Sequence, residues 1–506
     1  MKRYQNANHD IAVPEALRRR VLEKPVRTSL RYALVLATAA VLLATLAAAG
    51  AIFFRQTGDT PPIAPLDTAT TAETVTPPET EIITGTLPLQ LTQVSYPVQA
   101  QYPEQLFTED GRVNDGYDAW RQDIAARRNQ PAGYDAGLDE AAQELMRQFL
   151  TADDASVGKN RVISPLNLYL ALAMLTETTD TTSRAALLDL LGADSIDILR
   201  ERVAALWTAN YSDDGYLTTR LAASFWLNEG ISYRADTLDR LARHHYAATF
   251  QGKMGTEAMN LALRDWLNDN TGGLLREQAD GLSFDPRTVM GLATTIYYQA
   301  KWDNEFDPNN TADGIFHASS GDMTLPFMHQ SRSSSYYWGD GFAAVNRRLG
   351  DGTMWLILPD EGVSPDTLLA REDIFTLMEG GNWENCKHLI VNLAMPKFDV
   401  ASDMEMISGL TEMGLGDLFS ADRADFSPVT DDAALADTLY LSQVKHAARV
   451  KVDEEGCEAA AYTVMMMAGE GMPPRDQVDF VLDRPFIFVI NSPTGAPLFA
   501  GVVELP

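Results

Sequence analysis

The chain has 506 residues, 45% of them hydrophobic, which is ample for a large buried core. Seventy acidic residues against 40 basic ones give a net charge of -30, the opposite of the electrostatic footprint of a nucleic-acid binder. Two cysteines, Cys386 and Cys457, supply no disulfide framework, so nothing in the chain demands an oxidising compartment.

Residues 1–32 form a short basic segment, with eight Lys and Arg against three acids. Ala33–Phe54 follows, 22 residues without a charge, which as a helix spans about 33 Å and matches a bilayer core. No Lys or Arg occurs between Arg55 and Arg112, so the charge asymmetry predicts a cytoplasmic N-terminus and an extracellular bulk. The reading is a single-pass signal-anchor; its alternative is a secretory signal cleaved near Ala47–Ala51, which would release the protein.

Residues 55–109 are rich in Thr and Pro and read as a linker. Residues 110–136 form an N-terminal extension in which Tyr117, Trp120 and Ile124 suggest a short amphipathic helix. The globular domain is expected over 137–506. Helical spacing dominates Leu166–Leu191 and Asp236–Trp266, whereas Thr219–Trp226, Met290–Tyr298, Met354–Leu358 and His388–Phe398 read as strands. Both element types without a βαβ rhythm indicate an α+β fold.

Near the C-terminus, Leu439–Val452 reads as a strand, and Phe486–Ile490 and Pro497–Val503 as short buried strands. Between them lies Asp453–Pro474, far too long for a hairpin turn and unusually small and apolar for a loop. Catalytic signatures are missing from the sequence: no Gly-x-Ser-x-Gly elbow, no His-Glu-x-x-His and no phosphate-binding loop. His244 and His245 are adjacent and point to different helix faces, so they make no zinc face. The chain is read as no enzyme, with no metal and no cofactor.

The stretch Glu454-Glu455-Gly456-Cys457-Glu458-Ala459-Ala460-Ala461-Tyr462-Thr463, followed by Arg484-Pro485-Phe486-Ile487-Phe488, resembles the hinge and reactive-centre loop of a serpin. Pro497-Leu498-Phe499-Ala500-Gly501, Met395-Pro396-Lys397-Phe398, Leu358-Pro359-Asp360 and Ala300-Lys301-Trp302 resemble further signatures of that family in the family's order. Asn160–Leu175 resembles its second helix, with Ser164 and Pro165 at the start. With the anchor, the chain resembles a membrane-anchored, bacterial-type member.

The resemblance implies three β-sheets, eight or nine helices and an exposed reactive-centre loop. It also implies free thiols, because the two cysteines fall on positions that are not adjacent in the family, and a monomer. Its mechanism is suicide inhibition: a serine protease, or by extension a cysteine protease, cuts the loop and forms an acyl-enzyme. The freed strand then enters the main sheet and carries the enzyme with it. The loop hinge would comprise Glu454, Glu455, Gly456, Cys457, Glu458, Ala459, Ala460, Ala461 and Thr463. Cys457 stands where the family has Thr or Ser; by the alternation of a strand, it would face inward with Ala459, Ala461 and Thr463. Ser164, Asn167, Thr294, Trp302 and His446 would form the cluster that locks the sheet closed, with Thr294 and Asn167 exchanging the family's usual Asn and Ser. Counting fifteen residues from Gly456 puts the reactive bond at Glu470–Gly471, which suits a glutamyl endopeptidase; Met465–Ala468 and Met472 suit an elastase- or chymotrypsin-like target. Two other readings remain: a non-inhibitory serpin-fold binding or surface scaffold, and an unrelated surface adhesin or enzyme.

Overall fold

The computed structural model describes residues 87–506, apart from 93, 95, 109–110, 154–155, 381–382, 437 and 458–475. Ala33–Phe54, most of the linker and the loop after Cys457 lie outside the described residues. Among those described, no helix is long and apolar enough to cross a membrane.

The chain enters with β1 (Leu89–Thr92), α1 (Asp115–Arg128), α2 (Leu138–Leu150) and β2 (Arg161–Ile163). Three helices follow, α3 (Pro165–Thr176), α4 (Thr181–Leu190) and α5 (Ile196–Asn210), then β3 (Ser212–Asp213) and β4 (Thr218–Asn228). Next come α6 (Ala235–His245), β5 (Ala247–Gly252), α7 (Glu257–Asn270), α8 (Arg276–Asp280) and β6 (Met290–Lys301). The middle is a run of strands: β7 (Ala312–Ala318), β8 (Gly321–Gly339), β9 (Phe342–Leu349) and β10 (Gly352–Pro359). After α9 (Pro365–Leu369) and α10 (Glu372–Met378) come β11 (Cys386–Pro396), β12 (Phe398–Glu405), α11 (Ile407–Leu410) and α12 (Ala433–Ala436). The C-terminal part holds β13 (Lys445–Val452), β14 (Gly456–Cys457), β15 (Gln477–Val481), β16 (Phe486–Asn491) and β17 (Pro497–Val503).

The strands make two sheets among the described residues. The first runs β1-β5-β4-β6-β14-β13-β12, with β3 on β4; the second runs β15-β11-β8-β9-β10-β16-β17-β2, with β7 on β8. The expected three sheets are therefore two. The cause is the 19-residue β8, which pairs with β7 at one end, with β11 along its middle and with β9 at the other end, fusing what would be separate sheets. The described residues hold twelve α-helical segments rather than eight or nine, because α8, α9, α11 and α12 are short turns of five residues or fewer.

Local chemistry explains the boundaries. α3 is apolar all round (PLNLYLALAMLT) and so must be buried on all sides. Pro165 opens it at the first helical position, where its missing N–H costs nothing. The helical pattern Leu166–Leu191 is two helices: the Thr178 and Thr179 hydroxyls bond back to the Leu175 carbonyl, and Asp180 then caps α4 through the Thr181 N–H. Asp236–Trp266 is likewise interrupted. Tyr246 turns left-handed (φ 50°) at the end of α6, and β5 pairs in parallel with β4. The linker reading also overran, since Leu89–Thr92 is a strand on the edge of the first sheet.

Candidate functional site

The site lies where β13 ends and the long loop begins. Asp453 turns the chain: its Oδ1 accepts from the N–H groups of Glu455 (3.0 Å) and Gly456 (3.3 Å), and its own N–H donates to the Gly456 carbonyl (3.0 Å). β14 then runs back between two strands, with Gly456 opposite Lys301, and Cys457 opposite both Ala300 of β6 and Val452 of β13. A Cβ at Gly456 would collide with the Ala300 carbonyl oxygen and Lys301 Cα, so this close approach requires glycine. Cys457 is buried there and Cys386 is exposed, and neither takes part in a disulfide.

A second segment holds the turn from outside. Trp302 donates its backbone N–H to the Glu455 carbonyl (3.0 Å) and its indole N–H to the Asp453 carbonyl (2.9 Å); the Phe306 N–H donates to the Glu454 carbonyl (2.9 Å). The Glu454 carboxylate accepts from Thr311 Oγ1 (2.8 Å) and pairs with Lys397 Nζ at 2.6 Å. Burial pushes this carboxyl up, but the Lys397 and Thr311 donors outweigh it and hold the group below its ordinary range. Sequence reading picked out Lys397 only as part of a motif. Its pairing with Glu454, 57 residues away, and the roles of Thr311 and Asp453 belong to the tertiary structure.

Farther down the sheet, the start of α3 fastens both flanks of the same seam. The Ser164 N–H donates to His446 Nε2 on β13 at 3.0 Å, and the Asn167 side-chain amide donates to the Thr294 carbonyl on β6 at 3.3 Å. The Ser164 hydroxyl forgoes capping its own helix and donates to the Leu498 carbonyl of β17 (2.5 Å). Burial alone pushes the His446 imidazole down to about 4, so it is neutral and its Nε2 is free to accept. Among the described residues no ladder joins β6 directly to β13, and only β14 lies between them.

Ser164, Asn167, Thr294 and His446 are thus brought together around the α3 N-terminus, while Trp302 works at the hinge. Glu458, Ala459, Ala460, Ala461, Thr463, Glu470 and Gly471 lie outside the described residues. Beyond them the chain resumes in β15, which pairs in parallel with β11, so the two ends of the loop are fixed on different sheets. His245 faces Glu177 in the interior (Nε2–Oε1 3.5 Å). No group of three metal-ligating side chains occurs among the described residues.

The first residues of the long loop thus lie inside the first sheet, between β6 and β13. The chain belongs to the serpin family: the family model described as Serpin (serine protease inhibitor) matches residues 137–506. Serpin-Z2B of Oryza sativa subsp. japonica is 29% identical over 414 residues, covering 74% of this chain and 98% of that protein. Alpha-1-antitrypsin of Meriones unguiculatus is 27% identical over 360 residues, covering 69% and 84%. Among solved structures, the thermophilic serpin tengpin in its native state matches with a TM-score of 0.64 at 25% identity, covering 75% of this chain and 95% of that one. A thyroxine-binding globulin complex with thyroxine matches at 0.60 and 22% identity, over 73% and 98%, and speaks for the fold alone. These relatives give the family, not a bacterial or membrane-anchored subtype.

Proposed function

We propose that this serpin is a suicide inhibitor of a serine endopeptidase, with Glu470–Gly471 as its reactive bond. The observation that carries this reading is β14: Gly456 and Cys457 already occupy the first rung between β6 and β13, where a cleaved loop would continue. The protease serine oxygen attacks the Glu470 carbonyl carbon, and the Glu470–Gly471 bond breaks. The new amine on Gly471 takes a proton and Glu470 remains as an ester on the enzyme. Insertion of the fifteen or so residues after Gly456, at about 3.3 Å each, would carry that ester tens of ångströms. The enzyme's oxyanion geometry would be spoiled before water could release it.

Glu470 favours a glutamyl endopeptidase, whose pocket must supply charge or donors to the carboxylate. A cut within Met465–Ala468 would instead point to an elastase- or chymotrypsin-like enzyme. Ala33–Phe54 would hold the domain outside the cell membrane through the Thr/Pro-rich linker; a cleaved signal would leave it secreted. The alternative reading is a non-inhibitory binding or surface scaffold of the same fold. Incubation with a panel of serine proteases tests the proposal. A complex surviving boiling in SDS, releasing a C-terminal fragment that begins at Gly471, is the expected result; clean cleavage with no complex would favour the scaffold.

A further inference from the structure

Residues 87–128 precede the stretch the family model matches, yet their strand β1 belongs to the first sheet. β1 pairs antiparallel with β5, which would otherwise be the sheet's outer edge, and Pro88 packs against Gly252, where a side chain would be in the way. Tyr96 then stacks on Trp207 and Tyr211, with ring centroids 5.6 and 5.2 Å away, covering the end of α5. Gln99 grips the α5–β4 connection from both sides, donating to the Tyr211 carbonyl (3.1 Å) and accepting from the Asp213 N–H (2.8 Å). Tyr102 donates its N–H to the Asp214 carbonyl (2.7 Å). Its ring, with Trp120 and Ile124 of α1, forms a separate buried cluster.

The far end of the segment reaches the other sheet. Arg127 donates to the Tyr211 carbonyl (2.8 Å), and Arg128 pairs at 3.0 Å with Asp351 in the β9–β10 turn. That turn is itself tied to the end of β6, where the Gly350 N–H donates to the Lys301 carbonyl (2.6 Å). The described residues of this segment therefore contact β5, α5, the β3–β4 connection and the turn beside the hinge.

For β6 to part from β13, the strands β4 and β5 and the helix α5 must shift with it, because their ladders and packing are continuous. We propose that residues 87–128 are a brace that opposes this shift and so sets how readily the sheet admits a strand. The inference rests on the insertion reading above for its purpose, though not for its physics.

The test uses the full-length protein and the variants Arg128→Gln and Tyr96→Ala. Arg128→Lys serves as the conservative rescue, and Phe107→Ala, at an exposed residue of the same segment, as the control. Two readouts are followed: hydrogen exchange of the β6 and β13 amides, and uptake of a synthetic peptide with the sequence of residues 456–469. Arg128→Gln and Tyr96→Ala should exchange five- to tenfold faster across β6 and take up peptide correspondingly faster; the Lys and Phe107 variants should match wild type. Unchanged β6 exchange in both would overturn the brace, whatever the peptide does. Faster exchange with no peptide uptake even in wild type would keep the brace and sink the insertion reading.

Discussion

The centres of the two sheets are built on opposite plans. In the second, β16 and β17 are buried along their whole length and paired on both edges, β16 with β10 and β17, β17 with β16 and β2. Phe486, Ile487, Phe488 and Ile490 are wholly inaccessible, and Phe488 meets Phe398 of the other sheet at 5.6 Å. In the first, among the described residues, β6 and β13 meet only through the two-residue β14, and the start of α3 adds one hydrogen bond to each. One sheet is laddered throughout its centre; in the other, only Gly456 and Cys457 bridge the two middle strands among the described residues. Stability should therefore reside in the second sheet, and control in the seam of the first.

The largest expected effect tests the complete sheet. Phe488→Ala should cost about 3–5 kcal/mol, the usual range for emptying a packed aromatic site. If the contrast between the sheets is right, urea midpoints of the intact and the loop-cleaved protein should fall by similar amounts. A loss confined to the intact form would mean that β16 takes part in the change of state.

The seam should also titrate. The folded pKa of His446, about 4, lies below the unfolded value near 6.5, so the unfolded chain binds the proton more readily. Stability from this residue is complete above pH 6.5 and is lost as pH falls toward 4, by about 3 kcal/mol in all. Protonation also removes the Nε2 lone pair that accepts the Ser164 N–H, so the loss should appear at the seam. Asp139, raised to about 6 by partial desolvation and the neighbouring Glu379, Asp135 and Glu140, and Glu504, raised by burial, pull the other way and favour folding at low pH. The difference between wild type and His446→Gln isolates the histidine. Parallel stability–pH curves for the two would place the cost elsewhere.

How much of this was legible in the chain differs between the same two regions. Phe486–Ile490 and Pro497–Val503 match β16 and β17 to within a residue, because strands buried on both faces are written as unbroken apolar runs. The start of α3 was marked by Ser164-Pro165. The edge of the first sheet was not. β1 hides in a Thr/Pro-rich stretch, although Leu87, Leu89 and Leu91 alternate as a strand's residues do. β5 sits inside a helical pattern and is a strand only because β4 offers it a ladder. The seam residues could be named from family resemblance, yet their partners, a main-chain carbonyl and a main-chain N–H on other elements, leave no trace in local sequence.

At the hinge, Glu454→Gln keeps the size of the side chain and the Thr311 bond but removes the charge that pairs with Lys397. A loss of about 1–2 kcal/mol is expected for a charged hydrogen bond at this degree of exposure. It should fall on the intact form more than on the loop-cleaved one, and quicken conversion between them. Equal losses would make Glu454 part of the general scaffold and blur the line between the two sheets.

The smallest effect belongs to Asn167, whose amide meets the Thr294 carbonyl at the long distance of 3.3 Å. Asn167→Ala should cost about 1 kcal/mol, the net worth of one ordinary hydrogen bond. Because the acceptor is main chain, no partner variant can remove it, and the informative companion is Asn167→Asp. A carboxylate of the same shape would face that carbonyl with no proton to give, in a position only 6% exposed. It should therefore either take up a proton or push β6 away from the α3 N-terminus. Asp should cost more than Ala above pH 7 and converge on wild type in acid, where a protonated carboxyl can donate as the amide does. Comparing each with the matching variant in the His446→Gln background, where the histidine no longer titrates, separates the two pH effects. If Asp and Ala cost the same at every pH, the 3.3 Å contact holds nothing, and β6 is kept in place by β4 and the hinge alone.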